Sequence, residues 1–82
     1  MRYILTKHAK ARMGERSISK KLIEGALHNP TRVSYDSTGK MLLKKLYTKR
    51  GKEYLLVIVC DQYREELRII TIIETSKVKK YL

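Results

Sequence analysis

Residues 53–61 read EYLLVIVCD. Between the two acids lie seven apolar side chains without polar alternation. A strand built from them must bury both faces, which places it at the centre of a sheet. The flanking segments supply its neighbours. On the C-terminal side, DQYREE (61–66) turns and ELRIITIIE (66–74) predicts another largely buried strand. On the N-terminal side, KRGKE (49–53) predicts a tight turn built on Gly51. It is preceded by KMLLKKLYTK (40–49), whose lysines require at least one wet face. Before that, TRVSYD (31–36) predicts a strand, and DSTGK (36–40) is a turn by composition.

The first thirty residues follow another pattern. Ser19 is a helix N-cap, and Ile18 before it and Ile23 within the helix have the spacing of a hydrophobic staple. KKLIEGALH (20–28) places Leu22, Ile23, Ala26 and Leu27 on one face, and Asn29-Pro30 ends the helix. Thr6 caps an earlier helix of about two turns, with Gly14 in the left-handed position after it. RYIL (2–5) predicts an edge strand, and TSKVKKYL (75–82) a short basic tail. The order predicts one α+β domain over 1–82. Two N-terminal helices pack on one face of a curved antiparallel sheet of three to four strands.

Composition closes several routes. Cys60 is the only cysteine, so neither a disulfide framework nor a Cys-rich metal site exists. His8 and His28 are twenty residues apart, which does not make a zinc site. His28 ends its helix, where it suits the dipole. The four glycines lack a phosphate-loop spacing, and no serine has a nucleophile-elbow context. No cofactor is expected. MRYILTKHAK does not read as a signal peptide, and the longest apolar run, seven residues, is far below a membrane span. The expectation is a cytoplasmic protein that does not engage a membrane. Scarce Asn, Gln and Cys beside abundant Lys, Glu and Ile favour a thermophilic source.

Charge carries the functional signal. The net value is +11, and residues 1–50 hold thirteen basic against three acidic side chains. An excess confined to one part of a small domain suits a polyanion, because each neutralised phosphate releases counterions. An acidic protein partner is the alternative, and solubility alone rarely needs so much charge. His8, Arg12 and Arg16 are spaced at i, i+4 and i+8, so a continuous helix would put them on one flank, while a helix ending at Gly14 leaves Arg16 on the turn nearby. Cleaving RNA without a metal needs a proton shuttle, which histidine supplies, and cations for the developing charge, which the guanidinium fork supplies. The same spacing also fits a structural histidine between helix and sheet, with arginines paired to Glu15 or Glu24. Lys40, Lys44, Lys45, Lys49, Arg50 and Lys52, interleaved with Tyr47 and followed by Tyr54, fit a groove that neutralises a backbone and stacks a base. Lysines that guard a strand edge against aggregation give the same pattern.

The opening segment, HAKARMGERSISKKLIEGALHNPTRV, has a His, three residues, Arg-Met, a second Arg, Ile-Ser and a helix ending Asn-Pro. It resembles a family of small prokaryotic proteins with a His-x-x-x-Arg-Met motif. That family is similar to BrnT-like toxins and, more remotely, to the RelE/ParE superfamily of toxin–antitoxin systems. LLVIVCDQYREELRIITIIET is similar to that family's closing hairpin. The resemblance implies helices on a curved antiparallel sheet. It also implies a ribonuclease-type toxin that cleaves mRNA, free or ribosome-bound, and an antitoxin that silences it. Of the motif positions, His8, Arg12 and Arg16 carry chemistry, while Met13, Ile18, Ser19, Asn29 and Pro30 read as fold. Lys79, Lys80 and Tyr81 are similar to the basic or tyrosine residues such toxins place near the C-terminus. The superfamily also includes members that cut no RNA, so a non-catalytic nucleic-acid-binding or accessory protein is the alternative.

Overall fold

The computed structural model describes residues 2–82. Its elements, in chain order, are β1 (Tyr3–Leu5), α1 (Lys7–Glu15), α2 (Lys20–His28), β2 (Arg32–Tyr35), β3 (Met41–Lys49), β4 (Lys52–Tyr63), β5 (Glu66–Thr75) and α3 (Val78–Tyr81). The sheet order is β1-β5-β4-β3-β2, so the EYLLVIVCD strand is central. Alternate residues of β4 serve two faces. Leu56, Ile58 and Cys60 join the main core with Ala9, Ile18, Ile23, Ala26 and Leu27 of the helical segment. Leu55 and Val57 are buried on the opposite, back face, outside that cluster.

The α+β class is as the sequence implies, but the sheet differs in detail. It has five strands rather than three or four, and it is mixed. β1 runs parallel to β5, while the other three pairings are antiparallel. A chain that leaves a strand directly into a helix and returns through an antiparallel meander can dock its first strand on the far edge in either sense. Here the α1–α2 layer covers one face, and β1 enters alongside β5.

The helix boundaries also differ from expectation at one end. Thr6 and Ser19 are the N-caps, their hydroxyls accepting from the Ala9 and Leu22 amides at 3.1 and 3.0 Å. Gly14, however, is helical, and Ser17 takes the left-handed conformation (φ 52°). The Ile18 amide donates to the Met13 carbonyl at 3.0 Å and the Ser17 amide to the Gly14 carbonyl at 3.2 Å. That pair of bonds is a Schellman termination, with buried Ile18 in its apolar position. Ile18 therefore closes α1 and opens α2. The basic tail is not irregular but forms the single-turn helix α3. No helix among the described residues is long and apolar enough to cross a membrane.

Candidate functional site

The site begins with Thr6. Its amide donates to the Ile69 carbonyl at 3.1 Å and its hydroxyl to the Ile70 carbonyl at 3.0 Å, while the same oxygen caps α1. The sheet register shifts at Val59/Cys60, where Val59 pairs with Thr71 and Cys60 with Ile69, leaving Ile70 as a bulge. The bulge lets one threonine side chain fasten the first turn of α1 along β5. His8 then lies against the strand, its Nε2 3.0 Å from the Thr71 hydroxyl. The residue is exposed, and its partner is a side chain rather than the backbone.

One and two turns further on, Arg12 and Arg16 border a groove of about 310 Å³ whose other wall is Thr71–Glu74 of β5. Arg12 pairs with Glu15 at 3.4 Å, as the structural alternative expects. Arg16 has no carboxylate at ion-pair distance among the described residues. Arg12 and Arg16 thus share the groove, while His8 does not line it and meets its β5 wall only through Thr71, the register partner of Val59.

Glu74 closes the groove at the far end. Register places it opposite Leu56, on the helix-covered face, and its side chain is only 11% exposed. The Tyr47 hydroxyl donates to Glu74 Oε2, and Lys49 Nζ lies 3.3 Å from the same oxygen. Tyr47 stacks on Tyr54, with ring centroids 5.9 Å apart, and the ammoniums of Lys49 and Lys52 lie 5.2 and 5.8 Å from the Tyr54 centroid. A lysine–tyrosine platform on the β3–β4 hairpin therefore holds Glu74, which also lines the groove of Arg12 and Arg16. The sequence marks Tyr47, Tyr54 and the lysines. It does not mark Thr71 or Glu74, whose only signal is a polar residue within, or closing, an otherwise apolar strand.

The lysine band does not stay together. Strand alternation puts Lys45 on the helix side, donating to the Asn29 carbonyl at 2.8 Å. Lys44 is on the back face, donating to the Tyr81 carbonyl at 2.7 Å. Lys40 sits in the β2–β3 turn, and Arg50 at the tip of the β3–β4 hairpin. The tail residues Lys79, Lys80 and Tyr81 are not gathered with His8. They belong to α3, where Tyr81 lines a back-face groove with Leu42, Lys44, Val57 and Val59, and Ile73 and Glu74 border both this groove and that of the arginines.

Outside the cleft, Cys60 is buried, and burial with the nearby Asp61 charge pushes its thiol up to about 11. It is a core residue. Burial, and then the hydrogen bond to Glu24 at 2.8 Å, push the Tyr3 phenol above its usual range. No cluster of three or more His, Cys, Asp or Glu capable of holding a metal occurs among the described residues.

The class so defined is a small α+β protein with a groove bordered by Arg12 and Arg16 on one side and by Thr71–Glu74 of β5 on the other. Residues 5–74 match the model of a domain of unknown function, DUF4258, and the chain belongs to that family. No curated protein and no solved structure matches it.

Proposed function

We propose that the chain is a metal-independent endoribonuclease of the toxin type, acting on RNA in the cytoplasm and restrained by an acidic partner protein. The observation that carries this reading is the groove bordered by Arg12 and Arg16 against β5, with exposed His8 bonded to Thr71 of the same strand segment. A phosphodiester held by the two guanidiniums meets their charge where negative charge grows in the transition state. His8 transfers a proton as the 2′-hydroxyl attacks, which leaves a cyclic phosphate and a 5′-hydroxyl. The Tyr54 platform with Lys49 and Lys52 offers a stacking face and backbone contacts to the flanking single strand. The net charge of +11 supports an acidic partner.

The experiment is incubation of the purified chain, in chelator, with end-labelled RNA and with mRNA on ribosomes, beside His8→Ala and Arg12→Ala. The expected result is cleavage to cyclic-phosphate ends, lost in folded His8→Ala. Intact RNA in both settings, or equal cleavage by His8→Ala, overturns the nuclease reading. RNA that is bound but uncut would leave the stacking platform as the functional element and favour a binding module.

A further inference from the structure

Resting on the acidic-partner part of that reading, we infer that the back of the sheet is a docking face whose occupant is an amphipathic helix of another protein, with acidic flanks. β4 is apolar on both faces, yet only one of them has the α1–α2 layer against it. On the back lies α3, a single turn packed on β4. The side chains of Lys44 and Arg32 fasten it, donating to the Tyr81 and Leu82 carbonyls at 2.7 and 2.6 Å. Leu55 and Val57 are buried on this face. The next row of the sheet is not. Thr71, Val59 and Leu42, paired in register, are half-buried, and Ile73 beside Val57 is 48% exposed. Leu42, Val57, Val59 and Ile73 line a groove of about 410 Å³ with Tyr81 of α3. An apolar sheet face left open in this way is completed by a further layer.

The charge around the groove selects the occupant. Lys44 lines it, Arg32 is the register partner of Lys44 on β2, and Lys79 and Lys80 are exposed on α3. None of these four has a carboxylate side chain at ion-pair distance among the described residues. The acids nearby are engaged elsewhere. Asp61 pairs with Arg68, and Glu74, which borders the groove, gives its carboxylate to Tyr47 and Lys49. A second copy would set these cations against their like, on two chains of +11 each. A strand adds at a sheet edge, whereas a face takes a helix or another sheet. Nucleic acid would lay its phosphates along an apolar floor. A helix with leucines at i, i+3, i+4 and i+7 fills that floor, and glutamates on its flanks meet the four cations.

The test uses a synthetic helix of about four turns, stapled on its polar face, with that leucine spacing and flanking glutamates. A twin peptide carries lysines in place of the glutamates. Binding to the whole chain is read by fluorescence anisotropy and located by amide chemical shifts. The glutamate peptide should bind with Kd below about 100 µM, shift the amides of Leu42, Val57, Val59 and Ile73, and outbind its twin at least about tenfold. Ile73→Lys adds a favourable charge but removes the apolar contact, and should weaken binding at least about fivefold. Ile73→Thr, a good strand former, covers the case in which the lysine variant does not fold and should show the same direction of loss. Lys44→Gln should weaken binding and flatten its salt dependence. Lys21→Gln, which removes the same charge from an exposed position of α2, should do neither. Failure of the glutamate peptide to bind, shifts confined to the helix-covered side, or equal binding of the two peptides overturns the inference. A wild-type dimer in sedimentation that Ile73→Lys abolishes overturns it in favour of a second copy. An RNA oligonucleotide that displaces the peptide and shifts the same amides overturns it in favour of nucleic acid. The nuclease reading falls separately, on RNA left intact, whatever the peptide does.

Discussion

Residue 17 shows what a single side chain costs when the backbone overrules the pattern. A glycine three residues earlier, at position 14, predicts a helix end there, yet Gly14 is helical and Ser17 adopts φ 52°. The reason is Ile18. Its burial in the core, at 5% exposure, fixes where the chain must turn, and the turn falls on whichever residue precedes it. A side chain in the left-handed region costs roughly 1 kcal/mol relative to glycine. Glycine within a helix costs a similar amount relative to alanine. A Cβ added at Gly14 meets nothing within 4 Å. Ser17→Gly and Gly14→Ala should therefore each stabilise the fold by about 0.5–1 kcal/mol, read as a melting temperature higher by a few degrees. A lower melting temperature for either variant would show that the Schellman termination is not what holds this corner. The His8–Arg12 spacing was legible by contrast, because both lie within α1 and helical phase fixes which residues share a flank.

At the scale of elements, the β3–β4 hairpin carries the clearest prediction. Arg50 and Gly51 both have positive φ, 54° and 77°, between the paired residues Lys49 and Lys52. This is the two-residue turn whose twist matches antiparallel strands, and asparagine is the residue it favours at the first place. An arginine there runs against local preference, and in the proposed RNA-binding role its charge is what it contributes. Arg50→Asn should raise the melting temperature and weaken single-stranded RNA binding, with the dependence of log affinity on log salt falling by about one. Unchanged affinity and salt dependence would leave Arg50 out of the binding surface. The elements themselves were readable because each carries its own chemistry: Thr6 and Ser19 as caps, Gly51 as a turn, the unbroken apolar run of β4. Their partnerships were less so. Three residues of β1 do not reveal a parallel pairing with β5 64 residues away. The bulge that lets Thr6 fasten α1 beside Thr71 leaves no periodic trace. The contact of Glu74 with Tyr47 follows only from register, which sets Glu74 opposite Leu56.

The whole molecule separates its tasks between two faces. The helix-covered side carries the core and the cleft, while the back carries α3, Lys44 and a smaller apolar set around Val57. The excess positive charge spans both, and two of the carboxylates that offset it, Asp61 and Asp36, are committed to structure. Asp61 forms a two-pronged pair with Arg68 across β4 and β5, at 3.0 and 2.7 Å, and that hydrogen-bonded guanidinium holds its carboxyl below the usual range. Asp36 organises the β2–β3 turn by accepting from the Thr38 hydroxyl and from the amides of Thr38 and Lys40, and these bonds depress it likewise. A carboxyl with a folded-state pKa below its unfolded value stabilises the fold above the unfolded value. That contribution is lost as pH falls toward the folded value. Acid also removes negative charge from a chain already at +11, so self-repulsion grows in the same window. Stability should therefore decline as pH drops below about 5, through the ordinary carboxylate range near 4. Asp61→Asn should start from a lower neutral-pH stability and decline less steeply. Salt near 1 M, where screening reaches about 3 Å, should recover the repulsive part and little of the short Asp61–Arg68 contact. Chemical denaturation with urea from pH 7 to pH 3, at two ionic strengths, separates the two causes. An Asp61→Asn curve parallel to wild type at both salts would assign acid lability to net charge alone and deny the cross-strand pair a part in it.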